Sequence, residues 1–386
     1  MDIAKVILVF GGLSLNSSIP QTAQADNTPA AVSSAGLLQN YGNNKPQWVK
    51  KLRSIAGAKD NRKFRIVQIG DSHTAGDYFT DQLRQRLQSR WGNGGIGWIY
   101  PSAVKGQRQA LPRYSGNGWT TLTSRASQAD FPLGGIIAQS TTGGDLTISS
   151  TAQGSEGMQD VALFIKPAAP NQTLNINGQH IPIENAGWQV LYTQATLPLS
   201  ISNNAMPWTV GLVNIENQRA GITLSAMGIN GAQMSQWSKW RQNWLGDLAQ
   251  TQADLVILAY GTNEAFNEKL DVQQTEQTWR GYIQQIKQAL PNAGILVIGA
   301  PESLKTKVGD CGTRPAYLDA VQSMQMRVAQ QEQTLYWSWQ DAMGGACSMK
   351  AWSEQGLAAK DGVHFSKQGY QQAADVLAND LIALVK

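Results

Sequence analysis

The sequence predicts an α/β protein in which a three-layer α/β/α domain with a parallel sheet is interrupted by an inserted β-sandwich. Three segments carry this prediction. Residues 64–90 form a strand–loop–helix unit, residues 92–220 lack helical periodicity, and strands alternate with helices again from residue 221 onward. Alternating strands and helices are typical of parallel sheets, whereas short strands between closely spaced turns are typical of sandwiches.

The chain has 386 residues, enough for two domains. We predict that residues 47–104 are the first part of the α/β domain, residues 105–220 the inserted β-sandwich, and residues 221–386 the second part. The apolar periods predict the following elements in chain order: helix 47–60, strand 64–69, helix 79–90, strands 145–149, 161–165, 173–176, 188–193, 208–213 and 221–229, a tryptophan-rich helix around 237–248, strand 255–260, helix 274–290, strand 295–298, helix 315–331, strand 335–339 and helix 366–385.

The N-terminus resembles a targeting segment. Lys5 precedes the short apolar run 6–10, and Ala-Gln-Ala at 23–25 has the small-x-small pattern of a cleavage site. The run is too short to span a bilayer, so we expect a cleaved signal peptide over residues 1–25, an exported protein and no stable membrane insertion, the alternative being an uncleaved anchor. Residues 26–46, rich in Ala, Asn, Ser and Pro, predict a linker.

Composition excludes several classes of protein. Hydrophobic residues make up 42% and charged residues 15%, which is globular rather than disordered. The net charge of +4 comes from scattered Lys and Arg, which argues against a nucleic-acid groove. In an oxidising compartment Cys311 and Cys347 would form one disulfide, the alternative being two separate thiols. With three histidines and no cluster of ligands, we expect no metal.

Small and polar residues follow three predicted strands, at the sheet edge where α/β proteins bind ligands. A fourth polar cluster precedes the last helix. The four clusters are Gly70-Asp71-Ser72-His73, Asn230-Gly231-Ala232-Gln233, Gly261-Thr262-Asn263-Glu264 and Asp361-Gly362-Val363-His364.

A serine nucleophile needs a base within hydrogen-bond reach and a group that orients the base. We predict Ser72 as nucleophile, His364 as base and Asp361 as the orienting carboxylate. Neighbouring side chains do not face each other in a strand or a helix, so His73 is a poor base for Ser72 and is expected to have a positioning or packing role. We expect His180, in the insertion, to be a surface residue.

An acyl transfer also needs donors aimed at the developing oxyanion. The candidates are the backbone N–H groups of Ser72 and Gly231 and the side-chain amide of Asn263. The alternative for the last two is that their loops are ordinary turns. Asp71 is expected to organise its loop or cap the following helix rather than take part in the chemistry.

The four clusters resemble the conserved blocks of the SGNH (GDSL-like) hydrolases, named for their functional Ser, Gly, Asn and His. Ser72, Gly231, Asn263 and His364 occupy those positions, and Glu264 stands where many members have Asp. The first block, Gly-Asp-Ser-His-Thr, and the β-rich insertion resemble more narrowly the periplasmic peptidoglycan O-acetylesterases of Gram-negative bacteria. That resemblance implies a cofactor-free esterase acting on the acetylated C6 hydroxyl of N-acetylmuramic acid, with an insertion resembling a carbohydrate-binding module.

Several alternatives share part of this pattern. An O-acetyltransferase would use the same triad with a sugar hydroxyl in place of water. A deacetylase of another polysaccharide, such as xylan, or a lipase would also fit the triad, although no segment predicts an apolar lid. A non-catalytic glycan-binding protein would not need the complete residue set. O-acetylated glycan strands are the expected partner, and we expect a monomer.

Overall fold

The computed structural model describes residues 36–42, 46–203 and 207–386, so the predicted signal peptide lies outside the described residues. The strands are β1 (Leu38–Asn40), β2 (Lys63–Gly70), β3 (Gly95–Ile99), β4 (Arg113–Thr123), β5 (Ile136–Ser149), β6 (Met158–Pro167), β7 (Gln172–Ile176), β8 (Gln179–Ile183), β9 (Gln189–Thr196), β10 (Leu199–Asn203), β11 (Trp208–Asn217), β12 (Gly221–Gly228), β13 (Leu255–Ala259), β14 (Gly294–Gly299) and β15 (Leu335–Ser338). The helices are α1 (Gln47–Ile55), α2 (Ser72–Ala75), α3 (Tyr78–Trp91), α4 (Trp244–Gln250), α5 (Thr262–Ala265), α6 (Val272–Ala289), α7 (Leu318–Gln331), α8 (Trp339–Met343), α9 (Ser348–Glu354) and α10 (Lys367–Val385).

The first sheet has the strand order β1-β15-β14-β13-β2-β12. Its last five strands are parallel, as predicted, and β12 lies beside β2 in register from Gly221 and Lys63 to Gly228 and Gly70. At the edge, β1 runs antiparallel to β15. Part of the predicted linker therefore contributes a strand, and its three residues are too few to show an alternating pattern.

Side chains of this sheet alternate between two hydrophobic cores, as the two-residue period of a strand requires. In β2, Phe64 and Ile66 join the core that includes residues of α1, α3, α8 and α10. Val67 and Ile69 join the core that includes residues of α4, α6 and α7. Because both faces are covered, the carboxyl ends of the strands are held rigidly relative to one another.

The second sheet is antiparallel and has the order β8-β7-β10-β5-β11-β6-β9, with β3 paired to β11 and β4 to β5. Strand β5 pairs with β11 over residues 138–140 and with β10 over residues 144–148, so the sheet curls around one apolar cluster. The β-rich insertion is thus present as one continuous curled sheet. The sheet begins with β3, upstream of the predicted boundary at residue 105. The prediction missed this strand because the buried run 95–99 lacks the alternation that marks sandwich strands.

The curled sheet and the parallel sheet share a core. Trp98, Phe131 and Leu212 of the insertion belong to the same apolar cluster as Val67 and Met227 of the parallel sheet. An ion pair of 2.7 Å between Arg65 and Glu216 joins β2 to β11. The insertion is therefore packed firmly against the α/β domain.

A disulfide joins Cys311 and Cys347, as predicted for an oxidising compartment. Cys347 N donates to Glu302, whose buried carboxylate pairs with Arg314 at 2.6 Å. The adjoining chain supports the last polar cluster, since Leu304 N donates to Gly362 O at 2.8 Å. Within the described ranges, no helix is both long and apolar enough to cross a membrane.

Candidate active site

Ser72 is the first residue of α2, directly after β2. The Asp71 side chain caps this short helix by accepting from His73 N at 3.0 Å. Gly70 is required here because a Cβ would lie 2.5 Å from Ala259 O. Backbone bonds from Asp71 to Ala259 and from Ile229 to Gly70 tie the serine loop to both neighbouring strands. The position of Ser72 is therefore set by the sheet.

Ser72, His364 and Asp361 form a continuous hydrogen-bonded chain. The Ser72 Oγ lies 2.7 Å from His364 Nε2, and His364 Nδ1 lies 2.7 Å from Asp361 Oδ2. The other oxygen, Asp361 Oδ1, accepts from the backbone N–H groups of Val363 and His364, each at 2.9 Å. Gly362 adopts a φ of 73°, which lets the turn bring Asp361 back to the imidazole. The structure thus brings together the three side chains that the sequence pairs.

The Asp361 carboxylate is ionised at neutral pH. Partial burial opposes ionisation, but hydrogen bonds from the side chain and backbone of His364 and from Val363 N outweigh it and lower the pKa of Asp361 to about 2. An ionised carboxylate can only accept hydrogen bonds, so the proton between the two groups sits on His364 Nδ1. The Nε2 atom is then free to accept from Ser72.

His73 does not contact Ser72 as a base would. Its ring is 2% exposed and stacks on Phe365 at 5.5 Å between ring centroids. Its Nδ1 lies 2.9 Å from the Tyr370 hydroxyl, and its Nε2 is buried without a hydrogen-bond partner. Burial, together with nearby His364, lowers the pKa of His73 to about 3, so the ring is neutral and packs behind the His364 imidazole.

The loops that carry Gly231 and Asn263 meet beside each other. Asn263 Nδ2 donates to Ala232 O at 3.0 Å, and Gln233 Nε2 donates to Asn263 O at 3.2 Å. The amide nitrogen of Asn263 keeps a second hydrogen. Gly231 has a φ of 72°, a conformation that favours glycine.

Glu264 holds these two loops in place, a role that sequence reasoning missed. Its Oε1 accepts from Met234 N and its Oε2 from Gly261 N, both at 3.0 Å. Burial raises the pKa of Glu264 to about 7 against the effect of these backbone donors. The sequence shows an acidic residue beside Asn263, but it cannot show which backbone N–H groups that residue accepts from.

The remaining predictions concern His180 and the expected lack of a metal site. His180 is exposed on β8, as expected of a surface residue. In the described residues, no group of three or more His, Cys, Asp or Glu side chains is arranged to hold a metal ion.

Known proteins resemble this chain over both of its parts. Residues 94–200 match the family model described as peptidoglycan O-acetylesterase, N-terminal, and residues 192–372 match that of the GDSL-like lipase/acylhydrolase family. A peptidoglycan O-acetylesterase of known structure is 59% identical over 91% of this chain and 99% of its own, with a TM-score of 0.88. The chain belongs to the peptidoglycan O-acetylesterase family.

Because the match to this structure covers 91% of the chain, it takes in both the SGNH-type α/β domain and the β-rich insertion. More distant structures are a GDSL-like lipase of Parabacteroides merdae (21% identity, 42% of this chain and 73% of that one, TM-score 0.34) and a family two carbohydrate esterase of Cellvibrio japonicus (10% identity, 71% and 99%, TM-score 0.31). Both are too dissimilar to inform the function. A search of curated proteins found no match.

Proposed function

We propose that this protein is a serine esterase that removes O-acetyl groups from peptidoglycan, at the C6 hydroxyl of N-acetylmuramic acid, through an acetyl-enzyme intermediate. The observation that carries the proposal is the chain of two 2.7 Å hydrogen bonds from Ser72 through His364 to Asp361, in a member of the peptidoglycan O-acetylesterase family.

Acylation begins when Ser72 Oγ attacks the acetyl carbonyl carbon. His364 Nε2 takes the serine proton, and Asp361 stabilises the imidazolium that forms. His364 then gives that proton to the departing sugar oxygen. Water enters, loses a proton to the same nitrogen and attacks the acetyl-enzyme, which releases acetate and restores Ser72.

The oxyanion of each tetrahedral intermediate is held by the Ser72 N–H, the Gly231 N–H and the second hydrogen of the Asn263 amide. The bond from Asn263 to Ala232 O orients that amide before the substrate arrives. Each such donor typically stabilises the transition state by about 3–4 kcal/mol.

An open site suits a polymeric substrate. The side chains of His364 and Asp361 are 38% and 50% exposed, so a glycan strand and water can both reach the triad. The proposed steps use protein groups and water, and they need no cofactor. We further propose that the protein works as a monomer in the periplasm after removal of its signal peptide, where an oxidising environment allows the Cys311–Cys347 disulfide.

The test is acetate release from purified O-acetylated peptidoglycan, compared with acetylated xylan and a long-chain ester. Ser72→Ala should abolish release, while the exposed Ser89→Ala on α3 should leave it unchanged. Near-normal turnover by Ser72→Ala would refute the mechanism, and preference for xylan or the long-chain ester would refute the substrate. Acetyl transfer to a glycan acceptor without acetate release would show a transferase instead.

A further inference from the structure

Arg125 reaches the proposed acyl site from the inserted sheet. It lies in the connection between β4 and β5, in a turn closed by bonds from Ala126 N and Ser127 N to Thr123 O. Ser124 N donates to Gly135 O at 2.8 Å and fixes the start of the turn to the residue that precedes β5. The backbone of Arg125 is therefore held in place although the residue itself is exposed.

The guanidinium of Arg125 covers Gly231. A Cβ built on Gly231 would lie 2.7 Å from Arg125 Cζ and 2.8 Å from Arg125 Nη2. The contact places a permanent positive charge beside a backbone amide of the proposed oxyanion site.

This guanidinium has no acidic partner among the described residues, and no hydrogen bond from its side chain is formed there. By contrast, two more buried arginines are paired: Arg65 with Glu216 and Arg314 with Glu302. The neighbouring cation, Lys239, donates from Nζ to the Arg125 carbonyl oxygen at 3.5 Å. Arg125 thus presents free donors at the rim of the site.

We propose that Arg125 determines specificity by binding a carboxylate of the acetylated substrate. The inference rests on the proposed function. A guanidinium presents paired N–H donors that match the two oxygens of a carboxylate. The lactyl group of N-acetylmuramic acid ends in a carboxylate where it bears no peptide, and a peptide attached there carries carboxylates of its own. An acetylated xylan backbone and simple esters are neutral. Arg125 therefore favours anionic acetylated glycans over neutral ones.

The experiment compares one substrate in two charge states. Soluble O-acetylated peptidoglycan fragments are prepared with free carboxylates and with those carboxylates converted to amides. For each, kcat/KM for acetate release is measured with the full chain and with Arg125→Gln, Arg125→Lys and Arg90→Gln. Arg90 is an exposed arginine on α3, and its substitution removes the same charge at a place without contact to the site.

In the wild-type protein, the charged fragments should be preferred about tenfold, as expected for a partly exposed hydrogen bond between charged groups. Arg125→Gln should reduce the ratio of kcat/KM values for charged and amidated fragments to about one. Arg125→Lys should keep part of the preference, and Arg90→Gln all of it. Thermal melts of each variant establish that the fold is retained.

Two results would overturn the proposal. If Arg125→Gln slows both substrates equally, Arg125 acts on the oxyanion or on the loop and not on a carboxylate. If it slows neither, Arg125 has no part in recognition. Either result leaves acetate release intact in the wild-type protein, so the proposed function would stand. If the wild-type protein releases no acetate from O-acetylated peptidoglycan, the proposed function fails and this proposal falls with it.

Discussion

Replacing Asp361 by Asn tests whether the carboxylate sets the tautomer of His364. In the wild-type site, Asp361 Oδ1 accepts two backbone N–H groups and Oδ2 faces His364 Nδ1. An asparagine must keep its carbonyl oxygen on the two backbone donors, so its NH₂ group faces Nδ1. Nδ1 then has to accept, and the ring proton moves to Nε2. A protonated Nε2 points its hydrogen at Ser72 and cannot take the serine proton.

The size of the effect follows from the charge that is lost and from its exposure. Opposite charges about 4 Å apart near a protein surface attract by about 4 kcal/mol. Asp361 is 50% exposed, so solvent screens part of this, and about 3–4 kcal/mol is a reasonable loss in the transition state. At about 1.4 kcal/mol for each factor of ten, kcat should fall about 100- to 1,000-fold.

The assay is kcat for acetate release at neutral pH for wild type, Asp361→Asn and Asp361→Ala. Alanine cannot impose the wrong tautomer, so Asp361→Ala should be at least as active as Asp361→Asn. The reasoning is refuted if Asp361→Asn keeps kcat within about fivefold of wild type, or if Asp361→Ala is clearly the slower variant.

Three further perturbations test the framework around the site. Burial holds the pKa of His73 at about 3, so between pH 6.5 and 3 only the unfolded chain binds this proton. The free energy of unfolding therefore decreases as the pH is lowered, by up to about 1.4 kcal/mol per pH unit. Urea unfolding at pH 7 and pH 5 should show a smaller decrease for His73→Phe than for wild type, and an equal decrease would contradict the burial argument. Replacing both cysteines of the disulfide, by Cys311→Ala with Cys347→Ala, should lower the free energy of unfolding by about 4 kcal/mol, given a sequence separation of 36. If the wild-type protein gives the same unfolding curve with and without reductant, the disulfide does not contribute this stability. Arg65→Met should lower the free energy of unfolding by about 3–5 kcal/mol because it leaves Glu216 buried and unpaired. Adding Glu216→Leu should recover most of that stability. A double variant no more stable than Arg65→Met would rule out this explanation.

Local patterns predicted the elements that depend on short-range periodicity. The strand predicted at 64–69 is β2, and the helix predicted at 79–90 is α3. These segments succeed because alternating or helical apolar spacing is decided within a few residues. The same holds for α6, whose bounds differ from the predicted 274–290 by no more than two residues.

The tryptophan-rich helix predicted around 237–248 is wrong in its continuity. The chain forms a 3₁₀ turn over Met234–Lys239 and resumes as α4 only at Trp244. Between them, Trp240 is extended and Arg241 N donates to Phe131 O of the insertion. A long-range backbone bond replaces the helical one there, and periodicity cannot reveal a partner more than 100 residues away.

By itself, the sequence determined which chemical groups follow the strands and in what order. From these groups we predicted that Ser72 pairs with His364 and that His73 is not its base, since adjacent side chains point apart. The tertiary structure alone decided distances and surroundings: the 2.7 Å contact across 292 positions, the burial that keeps His73 neutral, the amides held by Glu264 and the guanidinium of Arg125 over Gly231. The division has a physical reason. Residue type and local spacing are properties of the chain, whereas burial, charge pairing and hydrogen-bond partners arise only when distant segments pack together.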